Sequence, residues 1–127
     1  MCSGNSHRSP LAEALLRKAK PEWTVDSAGI RVAIPIADGV REFLRRENAE
    51  QFLKSSPESL GDKRLGDYDV IVAMEDRHRD YVSSLCPECK DKIVVWHVID
   101  PYFMDREDAW KVYEQIKEKV AELAKLQ

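Results

Sequence analysis

Two short apolar runs limit what this chain can fold into. DVIVAM (69–74) and KIVVWHVI (92–99) are unbroken strings rich in β-branched residues, the pattern of strands covered on both faces. The residues between them, 76–85, read as a helix. Strand, helix and strand in this order predict a parallel βαβ unit. The rest of the chain repeats the alternation. SPLAEALLRKAK is helical in pattern, with Leu11, Leu15 and Ala19 on one side, and EWTVDSAG alternates at Trp23 and Val25 as a short strand ending at Ser27-Ala28-Gly29. DGVREFLRRENA reads as a helix with Asp38 as N-cap and Val40, Phe43 and Leu44 inward. SSPESL reads as a helix start, Ser56 capping and Pro57 in the first turn. The C-terminal stretch carries Ala109, Tyr113, Ile116, Val120 and Leu123 at spacings of three and four, with Lys and Glu outside.

Strands alternating with helices imply one α/β layer structure over residues 1–127, a single-domain length. In such sheets ligands gather beyond the carboxyl ends of the strands. Ser27-Ala28-Gly29, Glu75-Asp76 and Asp100-Pro101 all sit at such ends, and the opening loop, which runs straight into a helix, should follow a strand too. A net charge of −3 argues against a nucleic-acid footprint. No apolar run approaches the roughly 18 residues of a membrane span. Three cysteines, of which only Cys86 and Cys89 are close in sequence, fit a reducing, cytoplasmic setting better than a disulfide framework. Trp96 and Trp110 read as core, and Trp23 as half-exposed.

The chemistry is concentrated at the start, in CSGNSHRSP. Cys2 through Arg8 is C-x5-R. A loop of this length entering a helix can turn the backbone N–H groups of Ser3, Gly4, Asn5, Ser6, His7, Arg8 and Ser9 into one concavity, an anion nest at a helix N-terminus. Gly4 permits unusual backbone angles, and Asn5 tolerates the left-handed region. Pro10 suits the first helical turn. Arg8 can close over a tetrahedral oxyanion with two parallel hydrogen bonds. Cys2, in the same positive nest, should be favoured as thiolate, with Ser9 donating to its sulfur. A thiolate beneath a phosphorus atom is a nucleophile for phosphoryl transfer. Asp100, at a strand end and stiffened by Pro101, is the candidate acid for the leaving oxygen and later base for water.

CSGNSHRSPLAE resembles the signature loop of the low-molecular-weight protein tyrosine phosphatases, matching at Cys2, Gly4, Asn5, Arg8, Ser9, Pro10, Ala12 and Glu13. DSAG (26–29), DYDVIVAMED (67–76) and DPY (100–102) resemble further family segments in the family order. The resemblance implies a flavodoxin-like parallel sheet with helices on both faces. It implies a cysteinyl-phosphate mechanism without metal or cofactor: Cys2 the nucleophile, Arg8 the phosphate clamp, Asp100 the acid and then base. Asn5 would brace the loop, with Ser27 a possible partner, and Tyr102 would line the slot for an aromatic ring. The substrate would be a phosphotyrosine-containing protein or a small aryl phosphate, with no nucleic acid or membrane involved.

Three departures from the family pattern raise expectations of their own. Only Met1 precedes Cys2, so the central strand of the sheet is expected to be truncated, rearranged or supplied by another chain. His7 stands where many members carry a second cysteine, and reads as a solvent-facing or loop-bracing imidazole. IRVAIPIAD (30–38) lacks a bulky aromatic, so Val32 or Ile34 would form that wall of the slot. Other readings remain open at this stage. Cys86 and Cys89 could relay oxidation from Cys2 in a thioredoxin-coupled arsenate reductase, could bind zinc, though His78 and His97 are not suitably spaced, or could sit in a solvent-facing turn stiffened by Pro87 and by a disulfide between them. Cys2 could be an N-terminal nucleophile. A loop of this kind could also bind phosphate with little turnover.

Overall fold

A computed structural model describes residues 1–126. Its regular elements are α1 (Arg8–Ala19), α2 (Asp38–Arg46), β1 (Ile71–Ala73), α3 (Asp76–Leu85), β2 (Ile93–Val95) and α4 (Arg106–Lys125). β1 and β2 pair in parallel, Ile71 against Ile93 and Ala73 against Val95. The pairing runs on through Trp96 N–H to the Ala73 carbonyl (2.9 Å) and Val98 N–H to the Met74 carbonyl (2.8 Å).

The expected gap at the centre of the sheet is filled by residues 1–3. The Met1 amine donates to the Val72 carbonyl, and Met74 N–H donates to the Met1 carbonyl (3.1 Å). On the other side Cys2 N–H reaches the Ala28 carbonyl (3.3 Å) and Ile30 N–H the Cys2 carbonyl (3.2 Å). Gly29 in turn bridges in parallel to Ser59. The order across the layer is therefore β2, β1, 1–3, 28–31, 58–60, all parallel. From residues 1–3 the chain first crosses to one side and later returns to the other as β1. The end of 1–3 is thus a topological switch point, where α/β sheets bind ligands.

Alternation along these short strands feeds two cores. Cys2, Met74, Trp96 and Val98 join Leu11, Val40, Phe43, Leu44, Tyr113 and Ile116 beneath α1, α2 and α4. Met1, Ala28, Ile71 and Ala73 join Val82, Cys86 and Cys89 beneath α3. Neighbouring residues point to opposite faces, so one sheet carries helices on both.

Several sequence expectations are corrected. Trp23 closes a turn on the Lys20 carbonyl (3.0 Å), residues 24–27 form no strand, and the sheet is reached only at Ala28. Residues 55–58 are not helical. They lead to the sheet edge, and Ser59, not Ser56, caps the short turn Leu60–Asp62 through a bond from Gly61 N–H. Asp38 is the first residue of α2, and Ala37 holds the cap position. Ala19 lies on the exposed side of α1. The run 92–99 is not covered on both faces: β2 is the edge strand, and Val94 and Ile99 are exposed. No helix among the described residues is long and apolar enough to cross a membrane.

Candidate active site

Beyond Cys2 the chain leaves the sheet, turns through residues 3–7 and enters α1. The turn is held from outside by Arg31 N–H to the Ser3 carbonyl (2.8 Å) and Ala37 N–H to the Ser6 carbonyl (2.9 Å). Asn5 takes the left-handed conformation (φ 53°). Gly4 does not, so its predicted freedom is unused there. The glycine that the loop requires is Gly29, where a Cβ would stand 2.7 Å from Asn5 N and from the Gly4 carbonyl carbon. Among the described residues, the N–H groups of residues 3–7 have no main-chain acceptor. Together with the orphan N–H groups of the first turn of α1 they form a set of donors suited to an anion.

Cys2 is buried, its Sγ 3.0 Å from Ser9 Oγ. Asn5 Nδ2 donates to Ser9 Oγ (2.8 Å) and to Ser27 Oγ (2.9 Å), and the Ser27 hydroxyl donates to Glu13 Oε1 (2.6 Å). The expected pairing of Asn5 with Ser27 is present, and Glu13, buried on α1, extends it.

Arg8 closes the other side. Its side chain is 1% exposed, fixed by a bond to the Val98 carbonyl (2.8 Å) and by a salt bridge to Glu75. Its second terminal nitrogen lies 3.6 Å from Asp100 Oδ2. Asp100 Oδ1 accepts from Tyr102 N–H (3.0 Å), which orients the half-exposed carboxylate. Burial alone would raise the Glu75 carboxyl, but hydrogen bonds from Arg77 and Arg8, with their charges, bring it down to about 2. His78 is fully buried beside it, and burial, with the charge of Arg8, lowers it to about 4. Its Nδ1 accepts from Glu75 N–H (3.1 Å), so the neutral ring carries its hydrogen on Nε2 and donates to Ser3 Oγ (2.9 Å). Arg77 donates to the same oxygen (2.7 Å).

A family model described as low molecular weight phosphotyrosine protein phosphatase matches residues 1–127. The chain belongs to this family. It is 28% identical over 132 residues to the low molecular weight protein-tyrosine-phosphatase Wzb of Escherichia coli K12, a match covering 98% of this chain and 90% of that one. Among solved structures, Vibrio vulnificus Wzb in complex with benzylphosphonate superposes with a TM-score of 0.88 at 27% identity, covering 99% of this chain and 94% of the other. The low molecular weight protein tyrosine phosphatase of T. tengcongensis gives 0.87 at 27% identity, covering 99% and 95%.

The positions where this member departs from the family pattern can now be placed. Val32 and Ile34 are exposed on a span anchored to the loop at both ends, through Ser3 and Ser6. Tyr102 is half-exposed, its ring 6.2 Å from that of His7 and 4.7 Å from that of Phe103. His7 is half-buried, and burial, reinforced by Arg8 and opposed by Asp100, lowers its pKa. It is the residue before α1 and makes no side-chain cap. Cys86 and Cys89 do not face solvent. They form a disulfide across the turn Pro87–Lys92 and pack on the α3 side of the sheet. Sequence reasoning flagged Glu75 only as part of a strand-end pair and missed Lys54, Arg77 and the part His78 plays. Glu75 and His78 had a readable signal, a carboxylate at a strand end with a histidine one helical turn on.

Proposed function

We propose that the chain hydrolyses phosphotyrosine or a related aryl phosphomonoester, on a protein or a small molecule, through a cysteinyl-phosphate on Cys2. The reading is carried by one observation: Arg8, locked by Glu75 and Val98, stands on the loop that begins at Cys2 and within 3.6 Å of the Asp100 carboxylate. Loop N–H groups and the Arg8 guanidinium hold the phosphoryl oxygens. Cys2 Sγ attacks phosphorus as the bond to the leaving oxygen breaks, and Asp100 gives that oxygen its proton. Asp100 then takes a proton from water, whose oxygen attacks phosphorus as the P–S bond breaks, returning the thiolate. Val32, Ile34 and Tyr102 flank the entering ring, and Ser9 supports the sulfur as leaving group. The benzylphosphonate held by the Vibrio relative is the chemistry expected at such a mouth.

The test is hydrolysis of p-nitrophenyl phosphate without added metal. Cys2→Ser is expected to abolish it. Asp100→Ala is expected to slow phenyl phosphate more than p-nitrophenyl phosphate, whose leaving group needs no proton. Turnover by Cys2→Ser at the parent rate would overturn the reading, as would vanadate binding without measurable hydrolysis by the unaltered protein.

A further inference from the structure

Behind the loop lies a cleft of about 400 Å³ whose walls include Asp26, Phe52, Lys54, Glu58 and Tyr68. One cation on that wall reaches the loop itself. The Lys54 side chain is 9% exposed. Its ammonium donates to Asn5 Oδ1 (3.1 Å) and to the Ser27 carbonyl (2.6 Å), and pairs with Glu58 (2.6 Å). Asn5 Oδ1 also accepts from Glu58 N–H (2.8 Å). With two donors on that oxygen the amide can stand only one way round, its NH2 toward Ser9 and Ser27. Each hydroxyl then accepts from the amide, which frees its own hydrogen to turn onward, from Ser27 to Glu13 Oε1 (2.6 Å) and from Ser9 toward Cys2 Sγ (3.0 Å).

We propose that Lys54 is a positioning residue for Cys2: through Asn5 it commits the Ser9 hydroxyl to donate to the sulfur, favouring the anion that attacks phosphorus. The proposal rests on the nucleophilic role of Cys2. Charge acts in the same direction. Lys54 faces Glu58, Glu13 (3.5 Å) and Asp26 (3.6 Å), with Arg17 beside Glu13 and Lys63 beside Asp26 and Glu58. Removing the ammonium leaves a surplus of carboxylates behind the loop, which opposes a second anion at Cys2. Of the other titratable and charged groups of the site, His7, Arg8, Glu75, Arg77, His78 and Asp100 have no contact with Lys54, whereas the Met1 amine, lowered to about 6 chiefly by burial, is lowered further by the charges of Arg8 and Lys54.

The experiment follows alkylation of the Cys2 peptide by iodoacetamide against pH, by mass spectrometry, which reads the thiol without turnover. Lys54→Met is expected to slow alkylation about tenfold at a given acidic pH and to displace the profile toward higher pH. It should lower kcat by a similar factor with little change in KM, and Lys54→Arg should restore both. A folded Lys54→Met whose profile overlays the parent's overturns the proposal. Should Lys54→Met fail to melt cooperatively, Lys54→Ala, which removes both donor and charge, takes its place under the same criterion. An inactive parent with a displaced Lys54→Met profile overturns the phosphatase reading alone. An active parent with an undisplaced profile overturns this one alone.

Discussion

The floor and the rim of the site are built by opposite rules. On the floor, Asn5, Ser9, Ser27 and Glu13 are all buried and joined to one another by hydrogen bonds. On the rim, Val32, Ile34, Tyr102 and Phe103 are exposed, and the Tyr102 ring stands edge-to-face with those of Phe103 and His7. In the proposed reaction the floor would hold charge as it develops, so its donors would have to be in place beforehand. The rim would have only to shape and partly cover a ring. Substitutions on the floor should therefore change rate and stability together, while substitutions on the rim should change substrate affinity alone.

Arg8→Lys is expected to do the greatest damage. An ammonium cannot span the phosphoryl oxygens, Glu75 and the Val98 carbonyl at once. A loss of about 10²–10³ in kcat/KM is expected, in the range for removing a transition-state donor. Steady-state kinetics on p-nitrophenyl phosphate checks it. Retention of more than a tenth of the parent activity would break the contrast, since the floor would then tolerate disorder as well as the rim does. Asn5→Ala comes next. It places an alanine at φ 53° and strips partners from Ser9, Ser27 and Lys54. The expected cost is about 2–4 kcal/mol in urea unfolding.

The charged side of the site that locks Arg8, opposite that floor, should be the acid-sensitive part of the protein. His78, near 4 when folded against 6.5 when free, binds its proton more readily unfolded, so its contribution is complete above pH 6.5 and is lost as pH falls toward 4. Glu75, near 2 when folded against 4.5 when free, adds a second loss between pH 4.5 and 2. Urea midpoints should therefore decline in two stages below neutrality. His78→Gln should flatten the upper stage and leave the lower, and an unchanged upper stage in that variant would exclude His78 as its source.

The same contrast decides what could be read from residues alone. Cys2, Asn5, Arg8 and Ser9 were legible because loop chemistry concentrates them in a few adjacent positions, and Asp100 because a proline follows it at a strand end. The continuous apolar run 69–74 was enough to place β1. Lys54 was not legible: it lies in an irregular stretch and meets Asn5 across 49 residues of chain, and nothing local distinguishes it from a solvated lysine. Of the three expectations for the central strand, the truncated one holds, and sequence could not choose among them for a related reason. Strand length was counted along the sequence, whereas the position of residues 1–3 is set by hydrogen bonds from both neighbours. The helical reading of 55–60 failed because a Ser-Pro start signal lost to pairing beside Gly29.

The smallest expected effect lies furthest out on the rim. Phe103 is 96% exposed, its ring 4.7 Å from that of Tyr102 and nearly perpendicular to it. Removing it uncovers no core and breaks no hydrogen bond, so Phe103→Ala should leave the melting temperature unchanged. What it removes is one edge-to-face partner that limits where Tyr102 can lie, an interaction of about 0.5–1.5 kcal/mol when fully formed. The expected result is a two- to tenfold rise in KM for aryl phosphates, no change in kcat, and no change in inhibition by inorganic phosphate, which engages only the floor. A fall in kcat instead would mean that the rim takes part in holding Asp100, two residues before Tyr102 and bonded to its N–H, and that floor and rim are one mechanical unit rather than two.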